Sequence, residues 1–135
     1  MIHTRELLDR ISSESFLGND VLATAVDVLA ECETAVTACA TGMLAEKDAD
    51  TLRAAIDRNL DCADVAGATR GILTRHSGHD PALLIAQVKA CLIACQHSHD
   101  LCSGHAQHHD HCRICAEATA RATEACRSVL KAVRG

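Results

Sequence analysis

Cysteine and histidine are the residues of this sequence that could do chemistry, since each occurs nine times in 135 residues. An odd number of thiols cannot all pair within one chain, and thiols in a reducing compartment more often bind metal or do redox chemistry. Soft thiolates select Cu(I), zinc or iron–sulfur clusters. Neutral imidazole is the commonest nitrogen ligand near neutral pH. The composition therefore predicts a metal site with sulfur and nitrogen ligands.

The cysteines recur at helical spacings, because an α-helix turns 100° per residue and residues three, four, seven or eleven apart share a face. Apolar residues such as Leu84, Val88 and Val129 extend the same faces. The cysteine stripe is therefore predicted to be the buried stripe of each helix. The stripes are Cys32 with Cys39, Cys62 alone, Cys91 with Cys95 and Cys102, and Cys112 with Cys115 and Cys126.

Four long helical patterns must position these stripes, at about 20–45, 51–75, 81–103 and 109–133. Asp80-Pro81 is a strong helix start, with Asp as cap and Pro at the first helical position. Gly104 is expected to end the third pattern. Short links make sequential helices antiparallel, so the sequence predicts an all-α, up-down four-helix bundle over about 20–133.

The first eighteen residues predict a short extra N-terminal helix, with Leu7, Leu8 and Ile11 on one face. A frayed arm is the alternative. We expect a single domain over 1–135. Phe16 is the sole aromatic residue, and a core of small side chains suits close helix packing better than a sheet.

Composition also excludes several partners. The net charge of −5 gives no basic footprint for nucleic acid. We find no apolar run of about 18 residues for a membrane span and no signal-peptide pattern. The sequence therefore predicts a cytoplasmic protein without nucleic-acid or membrane partners.

Helical rise places the thiols in two loose layers below the bundle end that holds the first and third links, here called the top. Cys39, Cys102, Cys112 and Cys115 are expected about 7 to 12 Å below the top. Cys32, Cys62, Cys91 and Cys95 are expected about 18 to 24 Å below it, and Cys126 lowest and isolated at about 28 Å.

Histidines concentrate at the top, where they form a plausible port for copper. The third link contains His105, His108, His109 and His111. His108 precedes Cys112 by four residues, so it would lie above Cys112 on the inner face if the fourth helix began that early. We expect His97 to point outwards, and His3, His76 and His79 to be surface residues.

Met43 lies one turn beyond Cys39 and should face the same top layer. Its thioether could pass Cu(I) inwards, or it could simply fill a gap in the core.

The segment HCRICAEATARATEACRSVL, residues 111–130, resembles the last helix of cysteine-rich four-helix-bundle copper storage proteins, which reads HCRxCAxACxxCAxACR. The spacing of Cys91, Cys95 and Cys102 before His105 is similar to that family's CxxxCxxCxxxCxxH, and residues 61–64 resemble its DCAD segment. The resemblance implies a cytosolic or exported bundle, often a tetramer, that stores many Cu(I) ions along its core.

The sequence departs from this pattern where the family usually has cysteine. The non-cysteine residues at these positions are Ser98, Thr119, Ala122, Ala66 and, in the first long helix, Ala35 and Val36. We therefore expect fewer copper sites than in bulk storage.

Copper(I) storage or buffering is the first functional interpretation. A copper-dependent oxidoreductase with a discrete Cys/His site and a structural or zinc-binding bundle are the alternatives. The predicted ligands are Cys32, Cys39, Cys62, Cys91, Cys95, Cys102, Cys112, Cys115, Cys126, His105, His108, His111 and Met43.

Overall fold

The computed structural model describes residues 3–11, 17–75 and 81–134. The described residues form five α-helices and one 3₁₀ turn, and they contain no strand, which confirms the predicted all-α fold. The helices are α1 Thr4–Ile11, α2 Asn19–Leu44, α3 Arg53–Thr74, α4 Pro81–His105 and α5 Asp110–Arg134, and the 3₁₀ turn is Ala49–Leu52.

The four long helices pack in a ring, in which α2 contacts α3, α3 contacts α4, α4 contacts α5, and α5 returns to α2. Short links between successive helices produce this up-down order. The top of the bundle therefore holds the C-terminal ends of α2 and α4 and the N-terminal ends of α3 and α5. The α3–α4 link, with His76, His79 and the predicted Asp80 cap, lies outside the described residues.

Large aliphatic side chains fill the lower end of the bundle. Leu22, Leu73, Leu84 and Val129 come from four different helices, and each is about 1% exposed. Burying each such side chain stabilises the fold by roughly 1.5 to 3 kcal/mol. The lower end is therefore apolar, whereas the sulfur groups lie in the middle and upper parts of the interior.

The short helix α1 confirms the predicted extra N-terminal helix, and it packs against α2. Only Leu8 of its predicted apolar face is buried, since Leu7 is 41% and Ile11 59% exposed. Polar contacts also anchor α1, because Asn19 donates to Asp9 at 2.7 Å. One apolar contact and the polar contacts therefore hold this helix on the bundle.

Helix α4 continues through Gly104 to His105, two residues further than expected. A glycine within a helix costs about 1 kcal/mol relative to alanine, which does not suffice to end a helix anchored by its core cysteines. Among the described helices, none is both long and apolar enough to span a membrane.

Candidate metal centre

Five buried thiols meet in the middle of the bundle, and we call them the inner cluster: Cys32, Cys62, Cys91, Cys95 and Cys126. The Sγ atom of Cys62 lies 3.8 Å from that of Cys32 and 3.8 Å from that of Cys95. These three sulfurs lie within 4.8 Å of one another. All four long helices therefore contribute sulfur to one small volume.

Cys126 belongs to this cluster, so the prediction that it is isolated was wrong. Its thiol lies beside those of Cys91 and Cys95, which are the neighbours that shift its pKa. Axial rise alone misplaced it, because side chains on a helix lean towards its N-terminus. Helix α5 runs downwards and α4 runs upwards, so Cys126 leans up while Cys91 leans down, and the two meet.

Four further thiols form the outer cluster, nearer the top: Cys39, Cys102, Cys112 and Cys115. The Sγ atoms of Cys102 and Cys115 are 3.3 Å apart, and those of Cys39 and Cys112 are 3.8 Å apart. All four side chains are at most 1% exposed. The cysteines of α4 and α5 that the sequence placed in the upper layer are therefore brought together with Cys39 of α2.

His111 caps the outer cluster. Its Nδ1 atom lies 3.4 Å from the Sγ of Cys39 and 3.6 Å from that of Cys112. Gly42 makes this position possible, because a Cβ atom there would lie 3.1 Å from the imidazole Cδ2. The absence of a side chain on α2 therefore lets the ring lie against the helix and reach the thiols.

The opposite edge of the His111 ring faces the carboxylate of Glu46. Its Nε2 atom is 3.0 Å from Oε1 of Glu46, and His109 Nδ1 is 3.4 Å from the same oxygen. His109 Nε2 lies 3.2 Å from Oδ2 of Asp48, and this hydrogen bond lowers the pKa of Asp48. The two rings stack with centroids 5.4 Å apart. We call Glu46, Asp48, His109 and His111 the rim cluster.

The other predicted site residues are less central. His108 is exposed in a turn, since α5 begins only at Asp110, so the condition for its placement above Cys112 is not met. His105 is half-buried, and Met43 is fully buried in the core. His97 and His3 are exposed, as expected.

Asn59 is a functional candidate that the sequence analysis missed. Its Oδ1 atom accepts hydrogen bonds from Ser98 at 2.6 Å, Cys102 at 3.3 Å and Cys115 at 3.7 Å. Its Nδ2 atom is buried without a hydrogen-bond partner among the described residues. The signal was present in the sequence, because Asn59 precedes Cys62 by three residues and shares its face.

A layer without thiols separates the two clusters. It comprises Val36, Asn59, Ser98, Thr119 and Ala122, all fully buried. The hydroxyl of Thr119 donates to the backbone oxygen of Cys115 at 2.9 Å. Four of these residues lie between cysteines of their own helix, and Asn59 lies one turn above Cys62 on α3, so the layer interrupts the sulfur lining.

Each cluster contains a thiol that ionises readily. Hydrogen bonds from Cys62 and then Cys95 lower the pKa of Cys32. Hydrogen bonds from Cys115 and then Cys39 lower the pKa of Cys102. A thiolate surrounded by neutral thiols is an anionic site into which a soft cation can bind while it displaces protons.

The comparisons with known proteins agree with this geometry. The copper storage protein family, Csp, matches residues 19–131. The chain belongs to the copper storage protein family.

Two solved structures of a Streptomyces lividans member of the copper storage protein family resemble this chain closely. One shows the copper storage protein Ccsp loaded with 10 copper equivalents; it is 35% identical, with a TM-score of 0.89 over 95% of this chain and 98% of that one. The other shows the cytosolic copper storage protein with five coppers; it is 38% identical, with a TM-score of 0.81 over 83% and 93% of the two chains. A comparison with curated protein sequences gave no match.

Proposed function

We propose that this chain stores or buffers Cu(I) through its inner and outer thiol clusters. One observation carries the proposal: nine free, buried cysteines converge from four helices, and both clusters contain sulfur pairs that lie 3.3 to 3.8 Å apart. Family membership and the copper-loaded Streptomyces lividans structures support it. Copper is the cargo of these sites.

The donor set supports Cu(I) as the oxidation state of the bound copper. The inner cluster offers sulfur alone, and soft thiolates favour Cu(I) over harder divalent ions. Structural zinc is almost always held by four ligands in a closed tetrahedron. Cu(I) accepts two or three sulfurs, so adjacent pairs and triplets such as Cys32, Cys62 and Cys95 suit it without rearrangement.

Reduced capacity is part of the proposal. The layer of Val36, Asn59, Ser98, Thr119 and Ala122 supplies no thiolate between the clusters. Copper is therefore held in two separate groups, with several ions per chain.

We propose that copper enters at the top, because imidazole groups are found there and the lower end is filled with leucine and valine. His111 is the proposed nitrogen ligand of the outer cluster. His105 and His108 lie at the same end and would pass ions towards it. Met43, one turn from Cys39, would add a soft sulfur on the inward path.

We further propose that the chain acts as a single domain in the cytosol, as the Streptomyces lividans relative with five coppers is described. A homotetramer is proposed from the family resemblance. Exposed apolar side chains such as Ile93 and Ile114, which are 52% and 48% exposed, support burial against other copies. Sedimentation analysis at several concentrations tests this, and a monomer throughout would contradict the tetramer.

Anaerobic titration of the reduced protein with Cu(I), against a competing Cu(I) chelator, tests the storage function. We expect several ions bound per chain with high affinity. Binding of one ion or none would refute storage. One ion together with copper-dependent O₂ consumption would instead favour an oxidoreductase, and tighter binding of Zn²⁺ than of Cu(I) would favour a zinc-stabilised bundle.

A matched pair of variants sharpens this experiment. Cys95→Ser removes a sulfur that lies within 4.8 Å of those of Cys32 and Cys62 in the inner cluster. Ser103→Ala alters an exposed hydroxyl of the same helix, so it should leave the stoichiometry unchanged. Equal loss of copper in both variants would show that the effect is not specific to the thiols.

A further inference from the structure

We propose that Glu46, His109 and His111 bind one divalent cation of the zinc class, and that this ion competes with Cu(I) for His111. The three side chains come from the α2–α3 link and from the start of α5. Each offers one ligand atom, and these atoms lie within 4.8 Å of one another. Their donors are nitrogen and oxygen, which distinguishes this rim site from the thiol clusters.

The distances suit tetrahedral coordination. Ligand bonds of about 2.0 to 2.2 Å place neighbouring ligand atoms of a tetrahedron about 3.3 Å apart. Oε1 of Glu46 lies 3.0 Å from Nε2 of His111 and 3.4 Å from Nδ1 of His109. Small side-chain shifts would therefore seat an ion between the three atoms, and water would supply the fourth ligand.

Asp48 holds His109 in the orientation that the site needs. Its Oδ2 atom lies 3.2 Å from Nε2 of His109 and accepts a hydrogen bond from that N–H group. With the proton on Nε2, the lone pair of His109 is on Nδ1, which faces Glu46. A carboxylate bound to the remote nitrogen of a histidine is the usual support for a metal ligand.

Competition arises because a neutral imidazole has only one lone pair. When Nδ1 of His111 binds an ion between Cys39 and Cys112, Nε2 carries the proton and donates a hydrogen bond to Glu46. When Nε2 binds the rim ion, Nδ1 carries the proton and points at the thiols. One ring therefore serves one ion at a time, and the coupling between the two ions is negative and reciprocal.

The rim site itself does not require the core to hold copper, whereas the competition rests on the proposed outer copper site. Long-range ¹H–¹⁵N spectra of the imidazole rings separate the two statements, because they report on each nitrogen individually. The experiment uses the reduced full chain, without copper, titrated with Zn²⁺. We expect shifts at Nδ1 of His109 and Nε2 of His111.

Variants identify the ligands. Glu46→Gln and His109→Ala should each weaken Zn²⁺ binding at His111 Nε2 by about tenfold or more. Glu117→Gln is the matched control, since it alters an exposed carboxylate on α5 that pairs with Arg113. Circular dichroism verifies folding, and Asp48→Asn provides a second, milder variant. Unshifted rings in the parent protein, or equal Zn²⁺ affinity in Glu46→Gln and the control, would overturn the rim site.

A second series adds Cu(I) before Zn²⁺. We expect the Zn²⁺ affinity reported by His111 to fall by about tenfold, which is a coupling of about 1.4 kcal/mol. Unchanged Zn²⁺ affinity with the outer cluster loaded would overturn the competition. Failure of the core to take up copper in the same sample would count against the proposed function, whereas the Zn²⁺ shifts recorded without copper would still support the rim site.

Discussion

The inner and outer thiol clusters use the same ligand residue in different surroundings. The inner cluster consists of five sulfurs in a buried environment, with all its cysteines at most 2% exposed. The outer cluster adds the imidazole of His111 and the amide of Asn59, and it borders the half-exposed rim. We infer from this difference that burial among sulfurs favours retention of Cu(I) ions, whereas mixed ligands near the top of the bundle favour their exchange.

Cys95→Ser should have the largest effect on this contrast. The sulfur of Cys95 lies 3.8 Å from that of Cys62 and within 4.8 Å of that of Cys32, so its loss breaks up the sulfur triplet of the inner cluster. We expect fewer Cu(I) ions per chain and about a tenfold or greater loss of affinity for the inner ions, which is at least about 1.4 kcal/mol. Competition titration with a Cu(I) chelator measures both quantities.

Cys39→Ser is the counterpart in the outer cluster. It should reduce the outer ions and leave the inner ions tightly bound. If the two variants lost the same ions, the clusters would not be separate.

Lowering the pH should weaken copper binding in both clusters. Hydrogen bonding to neighbouring sulfurs raises the pKa of Cys39 in the outer cluster and of Cys62 in the inner cluster, so both are protonated thiols near neutral pH. Copper must displace these protons, and the apparent affinity therefore rises with pH by about tenfold per unit for each proton released. Cys32 and Cys102, whose pKa values are lowered, release fewer protons near neutral pH.

Chelator competition from about pH 6 to 8, with proton release followed by an indicator dye, measures this dependence. Affinity independent of pH would show that the thiols are already ionised. If the affinity rises with pH at different slopes for the first and the last Cu(I) ions bound, the slopes give the number of protons that each cluster releases.

His111→Ala should slow copper uptake while most of the capacity is retained. The ring contacts the outer thiols through Nδ1, so its loss removes one outer ligand and no inner one. We expect loading about tenfold slower, equivalent to about 1.4 kcal/mol in the barrier. Stopped-flow mixing with a coloured Cu(I) complex measures the rate, and the exposed His97→Ala is the control. An equal rate in the two variants would show that copper enters elsewhere.

Asn59→Ala tests the layer between the clusters and should have the smallest effect. The substitution removes the acceptor of Ser98, Cys102 and Cys115. Leaving a buried donor unsatisfied costs about 1 to 3 kcal/mol, so the free energy of unfolding of the copper-free protein should fall by that amount. Urea unfolding measures it, with Gln107→Ala as the control, since Gln107 is an exposed amide in the link between α4 and α5. Unchanged stability would show that the amide is not needed by the apoprotein.

The helical spacing of apolar and cysteine residues, together with residues that begin and end helices, predicted the bundle. The buried stripe of each long helix follows directly from this spacing. The sharing of sulfurs between helices followed too, for Cys32 with Cys62 and for Cys102 with Cys115. What spacing could not give was the lean of side chains along the axis, and this is why Cys126 was misplaced.

Contacts at the top of the bundle were harder to predict, since they depend on where α5 begins. A start at Asp110 turns His111 towards the thiols and leaves His108 outside. Glu46 and Asp48 carry no periodic signal, because they belong to a link whose path is set by tertiary packing. Asn59 did have the right spacing, but a polar residue on a cysteine face was not read as part of the site.

The apolar lower end of the bundle affects the order in which copper ions enter and leave. This end is filled by Leu22, Leu73, Leu84 and Val129. In a bundle interior that is open only at one end, the ions that enter first bind deepest and leave last. If copper passes only the histidine end, the inner cluster must fill before the outer cluster and empty after it. During a brief shortage of copper, only the outer cluster would then release its ions.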